Sequence, residues 1–147
     1  MDIAYHQRTK RPELNFKFYE SLIDMAKDCE ILVAIIPGGK TTEKIIDERV
    51  IEAIGPTGLL VNVARGTVVD NEALARCLKD GRLGGAALDV FPNEPSVPES
   101  LLEIDANLIL TPHMASATHL TRMRMGMILY DNLIALRDRT PFKTPVN

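Results

Sequence analysis

The sequence lacks an apolar run long enough to cross a lipid bilayer. Its longest uninterrupted apolar stretch covers only residues 31–36, whereas a membrane-spanning helix needs about 20 residues. The amino-terminal residues also lack the basic-then-apolar layout of a secretory signal peptide. These absences predict a cytoplasmic protein that has no membrane partner.

Cysteine and net positive charge are scarce as well. The two cysteines, Cys29 and Cys77, are not spaced like metal ligands. We expect reduced, buried thiols, and we predict neither a metal site nor a disulfide framework. The net charge of −3 gives no general attraction to nucleic acid, so no nucleic-acid partner is predicted. An anionic ligand would therefore have to be bound by local basic residues.

The 147 residues alternate between strand-like and helix-like patterns, without repeats or linkers. This length suits one domain. Strands are predicted at residues 3–5, 31–36, 59–63, 85–90 and 108–110. Helices are predicted after Ser21, through residues 50–54, after Asp70, and along the tail from Ser116. Residues 31–36 are apolar throughout, as expected of a strand covered on both faces. The alternation of strands and helices predicts an α/β fold with a parallel sheet flanked by helices.

We expect polar side chains to converge at one edge of this sheet. Open parallel sheets bind ligands at the carboxyl ends of their strands. The segments that follow the predicted strands are residues 7–10, 37–39, 64–66, 89–95 and 111–113. They place an arginine, two carboxylates and a histidine at that edge, namely Arg65, Asp89, Glu94 and His113.

Each of these four residues has a functional and an ordinary interpretation. Arg65 suits a two-pronged clamp on a carboxylate, or a surface salt bridge. His113 titrates near neutral pH and suits proton transfer with Glu94 as its partner, although a single histidine is more often structural. Glu94 also fits a plain acidic loop. Asp89, at an apolar strand end, is expected to hydrogen-bond either backbone or ligand.

Three further features carry less specific signals. Arg8, Thr9 and Lys10 follow the first strand, where a basic segment suits the 2′-phosphate of a nucleotide; a solvated basic turn is the alternative. The Gly38-Gly39 pair is too short to identify a phosphate loop. The methionines of the tail are interpreted as helix packing, and they are Met123, Met125 and Met127.

Three segments together resemble the nucleotide-binding domain of the D-isomer-specific 2-hydroxy-acid dehydrogenases. They are residues 60–70, residues 81–91 with Glu94-Pro95, and residues 111–118. The resemblance extends over residues 3–147. It is strongest to the NADP-preferring glyoxylate, hydroxypyruvate and hydroxyphenylpyruvate reductases, and the closing Thr144-Pro145-Val146-Asn147 supports that placement.

The resemblance implies a role for each candidate residue. Arg65 would bind the carboxylate of a 2-oxo acid, and His113, oriented by Glu94, would donate a proton to the carbonyl as hydride arrives. Ser116 would touch the substrate. NADP(H) is the preferred cofactor, with NAD(H) as the alternative. The cofactor-binding residues would be Arg8, Thr9, Lys10, Pro37, Thr42, Val63, Ala64, Arg65, Asp89, His113 and Ala115.

The resemblance also implies parts that this sequence does not contain. Members of the family carry a Gly-x-Gly-x-x-Gly loop on a central strand that precedes residue 3. We therefore expect residues 1–147 to form an incomplete Rossmann-type, doubly wound domain without that strand and loop. A gap is expected between the strands at Ile3 and Ile31. The long helix and tail would occupy about residues 116–147, and the substrate domain would be absent.

Two other interpretations remain open at this point. The chain is expected to be part of an oxidoreductase that acts on a small 2-oxo or 2-hydroxy acid, with a homodimer as a further assembly known in the family. A non-catalytic dinucleotide-fold module for dimerisation or binding is the first alternative, and an inactive gene fragment is the second. The first alternative gives no chemical reason for Arg65, Glu94 and His113 to occur together.

Overall fold

The computed structural model describes residues 1–105 and 107–145 as two compact units, Met1–His113 and Met114–Asn147. Val146 and Asn147 of the predicted closing motif lie outside the described residues. The strands of the first unit are β1 (Ala4–His6), β2 (Lys17–Tyr19), β3 (Ile31–Ala34), β4 (Leu59–Asn62), β5 (Gly85–Leu88) and β6 (Leu108–Leu110). Its helices are α1 (Leu22–Asp28), α2 (Glu48–Ile54), α3 (Asn71–Lys79) and α4 (Glu99–Leu102), with a 3-10 turn at Gly66–Val68.

All described strand pairs of the first unit are parallel. Strands β1 and β2 form one sheet, and the other four form a second sheet in the order β3-β4-β5-β6. This confirms the predicted parallel α/β arrangement. No ladder joins β1 to β3 among the described residues, which agrees with the expected gap between them. Strand β2 was not predicted, because its Lys-Phe-Tyr sequence is neither an apolar run nor bounded by turn residues.

Side-chain caps start the helices where the sequence indicates. Ser21 Oγ accepts a hydrogen bond from the backbone N–H of Asp24, at 3.3 Å, and Asp70 caps α3 in the same way. Asp47 adds an unpredicted cap to α2. Gly81, with φ of 68°, follows α3 as expected. Each of the side-chain caps at the start of a helix contributes about 1 kcal/mol to helix stability.

The helices of the first unit cover only one face of the four-stranded sheet. Leu32, Leu60 and Ala86 lie side by side in register and are at most 5% exposed. On the opposite face, Val33 is 49% exposed and Ile109 is 63% exposed. Within the first unit, the expectation that the strand at residues 31–36 is covered on both faces is therefore not met. An apolar strand indicates that burial is favourable, but it does not identify which element will cover each face.

The second unit is built on helix α5 (His119–Asp138). Thr118 Oγ1 caps it by accepting a hydrogen bond from the N–H of Thr121 at 3.1 Å. After Asp138 the helix is closed by Arg139, which has the left-handed conformation. The tail folds back on α5, where the side chain of Asn132 bonds Lys143 and Thr144. Helix α5 thus begins three residues after the predicted start.

Two expectations about side-chain burial need correction. The predicted packing methionines are more than half exposed, and they are Met123, Met125 and Met127. Their spacing identifies a helix, but it does not provide a surface for them to pack against. Both cysteines are free; Cys77 is buried as expected, whereas Cys29 is only half-buried. Among the described residues, no helix combines the length and the apolar character that crossing a membrane requires.

The one-sided sheet predicts unequal costs for two alanine substitutions. Leu60→Ala should lower the free energy of unfolding by about 2–5 kcal/mol, because it opens a cavity under the helices. Ile109→Ala, the matched change on the exposed face, should cost less than about 1 kcal/mol. Urea denaturation followed by circular dichroism measures both values. Equal losses would mean that the second face is buried.

Candidate functional site

A cavity of about 640 Å³ opens at the carboxyl edge of the four-stranded sheet. Its walls come from the segments that follow β3, β4, β5 and β6. The lining residues are Pro37, Gly38, Gly39, Arg65, Gly66, Thr67, Phe91, Pro92, Glu94 and His113. The three residues predicted to be catalytic therefore line a single cavity, as the strand-end argument anticipates.

Arg65 lies on the turn that leads from β4 into the 3-10 turn at Gly66–Val68. Its guanidinium Nη1 donates to the carbonyl of Ala64 at 2.7 Å, and the side chain is otherwise exposed at the cavity. The remaining donors of the guanidinium are thus available to a ligand carboxylate. Ala64 itself is buried, while Val63 is 38% exposed.

Glu94 and His113 form a hydrogen-bonded pair. His113 Nδ1 lies 2.7 Å from Glu94 Oε2, and Glu94 Oε1 accepts from the backbone N–H of Phe91 at 3.0 Å. Because the carboxylate contacts Nδ1, Nε2 is the ring nitrogen that can exchange a proton with a ligand. Both oxygens of the Glu94 carboxylate therefore accept a hydrogen bond.

The surroundings of Glu94 favour its charged form. The pKa of this carboxyl lies below its ordinary value of 4.5, first because His113 donates a hydrogen bond to it. The N–H of Phe91 and the positive charge of Arg65 lower the pKa further. Glu94 is therefore an anion at neutral pH.

His113 has an uncommon backbone conformation. Its φ is 51°, in the left-handed region, and its N–H donates to the carbonyl of Thr111 at 3.0 Å. A non-glycine residue in this region costs about 1–3 kcal/mol, and such residues are frequent at ligand sites. The turn carries the imidazole from the end of β6 to the cavity.

The predicted cofactor residues fall into separate groups. Asp89 is 5% exposed and accepts from Thr111 Oγ1 at 2.6 Å, so the expected specific hydrogen bond is made to a side chain. Thr42 Oγ1 donates to the carbonyl of Pro37 at 2.8 Å and shapes the loop after β3. Neither Thr42 nor Asp89 lines the cavity.

The basic segment after β1 is exposed and also lies outside the cavity lining. Arg8 Nη2 donates to Thr41 Oγ1 at 2.7 Å, which ties this segment to the loop after β3. Thr9 and Lys10 keep exposed side chains. Ala115 and Ser116 belong to the start of the second unit, where both are exposed.

Sequence reasoning did not identify several residues that shape the cavity. Asn71 Nδ2 donates to the carbonyls of Gly66 and Val69, which holds the 3-10 turn. Asn62 donates a hydrogen bond to the backbone carbonyl of Arg65, and Gly38 lies against the Arg65 side chain. The available signal was a buried asparagine at the end of an apolar strand, because such a side chain needs several partners.

Comparisons with known proteins agree on one group of relatives. A profile described as D-isomer specific 2-hydroxyacid dehydrogenase, NAD binding domain, matches residues 1–115. The hydroxyphenylpyruvate reductase of Plectranthus scutellarioides is 43% identical over 98% of this chain. The glyoxylate/hydroxypyruvate reductase A of Arabidopsis thaliana is 42% identical over the same share. The chain spans 46% of the length of each.

Solved structures give the same result. The NADPH-dependent glyoxylate/hydroxypyruvate reductase from Sinorhizobium meliloti, in complex with citrate, matches with a TM-score of 0.86 and 44% identity. The match covers 99% of this chain and 45% of that one. The same reductase, in complex with NADP and malonate, matches with a TM-score of 0.85. This chain therefore corresponds to slightly less than half of these proteins.

The lowered pKa of Glu94 predicts a titration that depends on His113. The Glu94 carboxylate should stay charged above pH 4.5 and become protonated only as the pH falls through the lower pKa of the folded state. In His113→Ala the carboxyl should titrate at higher pH, closer to 4.5, because the largest cause of the lowering is removed. Carbon NMR of the glutamate side chains measures this, with His6→Ala as the control. A wild-type Glu94 that titrates at or above 4.5 would contradict the pairing.

Proposed function

The chain belongs to the D-isomer specific 2-hydroxyacid dehydrogenase family through its NAD-binding domain, and we propose that it provides the catalytic half of an NADP(H)-dependent 2-oxo-acid reductase. The predicted family and the Rossmann-type α/β class are thereby confirmed. The activity, substrate and cofactor preference of the whole protein are proposals, since the chain spans 45% of the Sinorhizobium meliloti reductase.

One observation carries the proposal: a guanidinium and a carboxylate–imidazole pair line the same cavity. A planar guanidinium recognises a carboxylate through two parallel hydrogen bonds. An imidazole oriented by a carboxylate suits proton donation near neutral pH. A 2-oxo acid has its carboxylate next to the carbonyl that must accept a proton, so one small ligand can engage both groups. The relatives named as glyoxylate and hydroxypyruvate reductases support this class of substrate.

The chain has groups that suit the two ends of a dinucleotide. Exposed Arg8, Thr9 and Lys10 suit the 2′-phosphate of NADP, and the cavity at the sheet edge suits the nicotinamide end. Pro37, Val63 and Ala64 would contact the cofactor between these groups. The 147 residues contain no Gly-x-Gly-x-x-Gly for the pyrophosphate. When bound, NADPH would supply the hydride for the reduction.

The residues of this chain then have distinct tasks. Arg65 binds the substrate carboxylate and polarises the neighbouring carbonyl. His113 gives its Nε2 proton to the carbonyl oxygen, which becomes the hydroxyl of the 2-hydroxy acid. Glu94 keeps the proton on Nδ1 and balances the imidazolium charge. In this proposal Asp89 and Ala115 orient the nicotinamide carboxamide, and Ser116 contacts the substrate.

Activity is best tested in a hybrid protein. This chain would replace the matching part of the Sinorhizobium meliloti reductase, with the rest of the host unchanged. The hybrid should oxidise NADPH in the presence of glyoxylate, measured by absorbance. Arg65→Ala should lower kcat/KM about 100-fold or more, because two charge-assisted hydrogen bonds are lost. His113→Ala should lower kcat by about 10²–10⁴-fold, the usual contribution of a general acid.

The matched control is Arg49→Ala, an exposed arginine on α2 that does not line the cavity. It should keep hybrid activity unchanged. A folded hybrid that binds NADPH without reducing any 2-oxo acid would contradict the proposal and favour a non-catalytic binding module. Wild-type rates in Arg65→Ala would contradict the role of that residue.

The preference for NADP should depend on the basic segment. Arg8→Ser and Lys10→Ser should each weaken NADP binding to the hybrid about tenfold and leave NAD binding unchanged, because only NADP carries the 2′-phosphate. Fluorescence titration measures both dissociation constants. Lys27→Ser, at an exposed position on α1, is the control. Equal losses of affinity for NAD and NADP would show that this segment does not bind the 2′-phosphate.

A further inference from the structure

The aliphatic part of Arg65 lies against the backbone of Gly38. A Cβ atom at position 38 would be 2.7 Å from Arg65 Cγ and 3.0 Å from Arg65 Cβ, whereas carbon atoms pack at about 3.5–4.0 Å. Gly38 is exposed and its φ lies outside the left-handed region. Neither burial nor backbone conformation therefore requires glycine at this position. The steric requirement comes from Arg65.

Gly39, the next residue, provides a contrast. Its φ is 146°, and no atom lies within 4 Å of the place where its Cβ would be. Glycine at position 39 is thus a matter of backbone conformation, whereas glycine at position 38 makes room for a side chain. The two residues of the Gly-Gly pair have different functions, although the sequence alone does not distinguish them.

Asn62 acts on the backbone from which Arg65 projects. Its side chain is 1% exposed. Oδ1 accepts from the N–H of Ala64 at 3.0 Å, and Nδ2 donates to the carbonyl of Arg65 at 3.1 Å. One amide thus bonds the peptide group before Ala64 and the peptide group after Arg65. A buried amide with both ends engaged fixes the turn in one conformation.

We propose that Gly38 and Asn62 are positioning residues for Arg65, one setting the path of its side chain and the other the backbone where it begins. The inference rests on the proposed function, because it concerns how the guanidinium is aimed at the carboxylate of a 2-oxo acid. The displacement of a binding group by about 1 Å can cost 100-fold in rate. A methyl group at position 38 forces a shift of that order in the Arg65 side chain.

The first experiment follows the Arg65 side chain directly, in the 147-residue chain. Its Nε–Hε NMR signal is identified as the one missing in Arg65→Ala. Gly38→Ala should shift or broaden this signal, because the stem must leave its position. Gly126→Ala is the matched control, since no atom lies within 4 Å of its Cβ position. An unchanged Arg65 signal in Gly38→Ala would overturn the proposal for Gly38.

Asn62→Asp extends the same measurement to the backbone. It preserves size and the acceptor for Ala64 but removes the donor to the Arg65 carbonyl. The Arg65 signal should shift, while an unchanged far-ultraviolet circular dichroism spectrum shows that the variant is folded. If the buried charge prevents folding, Asn62→Ser provides a neutral replacement. An unshifted Arg65 signal in a folded variant would overturn the proposal for Asn62.

The second experiment uses the hybrid reductase and a double-mutant cycle. Gly38→Ala should lower kcat/KM for glyoxylate about 10- to 100-fold. In an Arg65→Ala background the same change should have less than about a twofold effect, because the displaced stem is gone. A tenfold loss in both backgrounds would overturn the positioning role. A normal rate in Arg65→Ala alone would instead contradict the proposed function.

Discussion

The cavity depends on a place where two backbones touch. A Cβ atom at Gly66 would lie 1.9 Å from the carbonyl carbon of Phe91 and 2.3 Å from the nitrogen of Pro92. Only a residue without a side chain lets the turn after β4 press against the loop after β5. Arg65 precedes Gly66 directly, and the N–H of Phe91 binds Glu94. The close approach therefore determines where the guanidinium and the carboxylate lie relative to one another.

Local signals were the part of the fold that could be predicted from the sequence. Ser21 and Asp70 cap helices as expected because their side-chain oxygens accept from N–H groups three residues ahead. Strand ends also place Arg65, Glu94 and His113 around one cavity, since parallel strands share a carboxyl edge. These features depend on residues close in sequence or on a general property of parallel sheets.

Contacts between distant segments account for what could not be predicted. The sequence shows Asn62 only as one residue of a mostly apolar strand, and its two backbone partners are evident only in the structure. The sequence shows Gly38 only as one of two adjacent glycines, and its contact with the Arg65 side chain is evident only in the structure. The exposure of Val33 and Ile109 is of the same kind, because a strand pattern describes preference for burial and not the element that supplies it.

The charges around the cavity explain how an acidic chain can suit an anionic ligand. The net charge is −3, and Glu94 adds a carboxylate at the site itself. Glu94 contacts Nδ1 of His113, which leaves Nε2 as the ring nitrogen that can meet a ligand. With Arg65 beside them, a protonated pair gives the cavity one net positive charge. In the proposed reduction, transfer of the His113 proton would remove this positive charge and weaken the binding of the carboxylate product. The proposal thus links proton transfer and product release through the same three side chains.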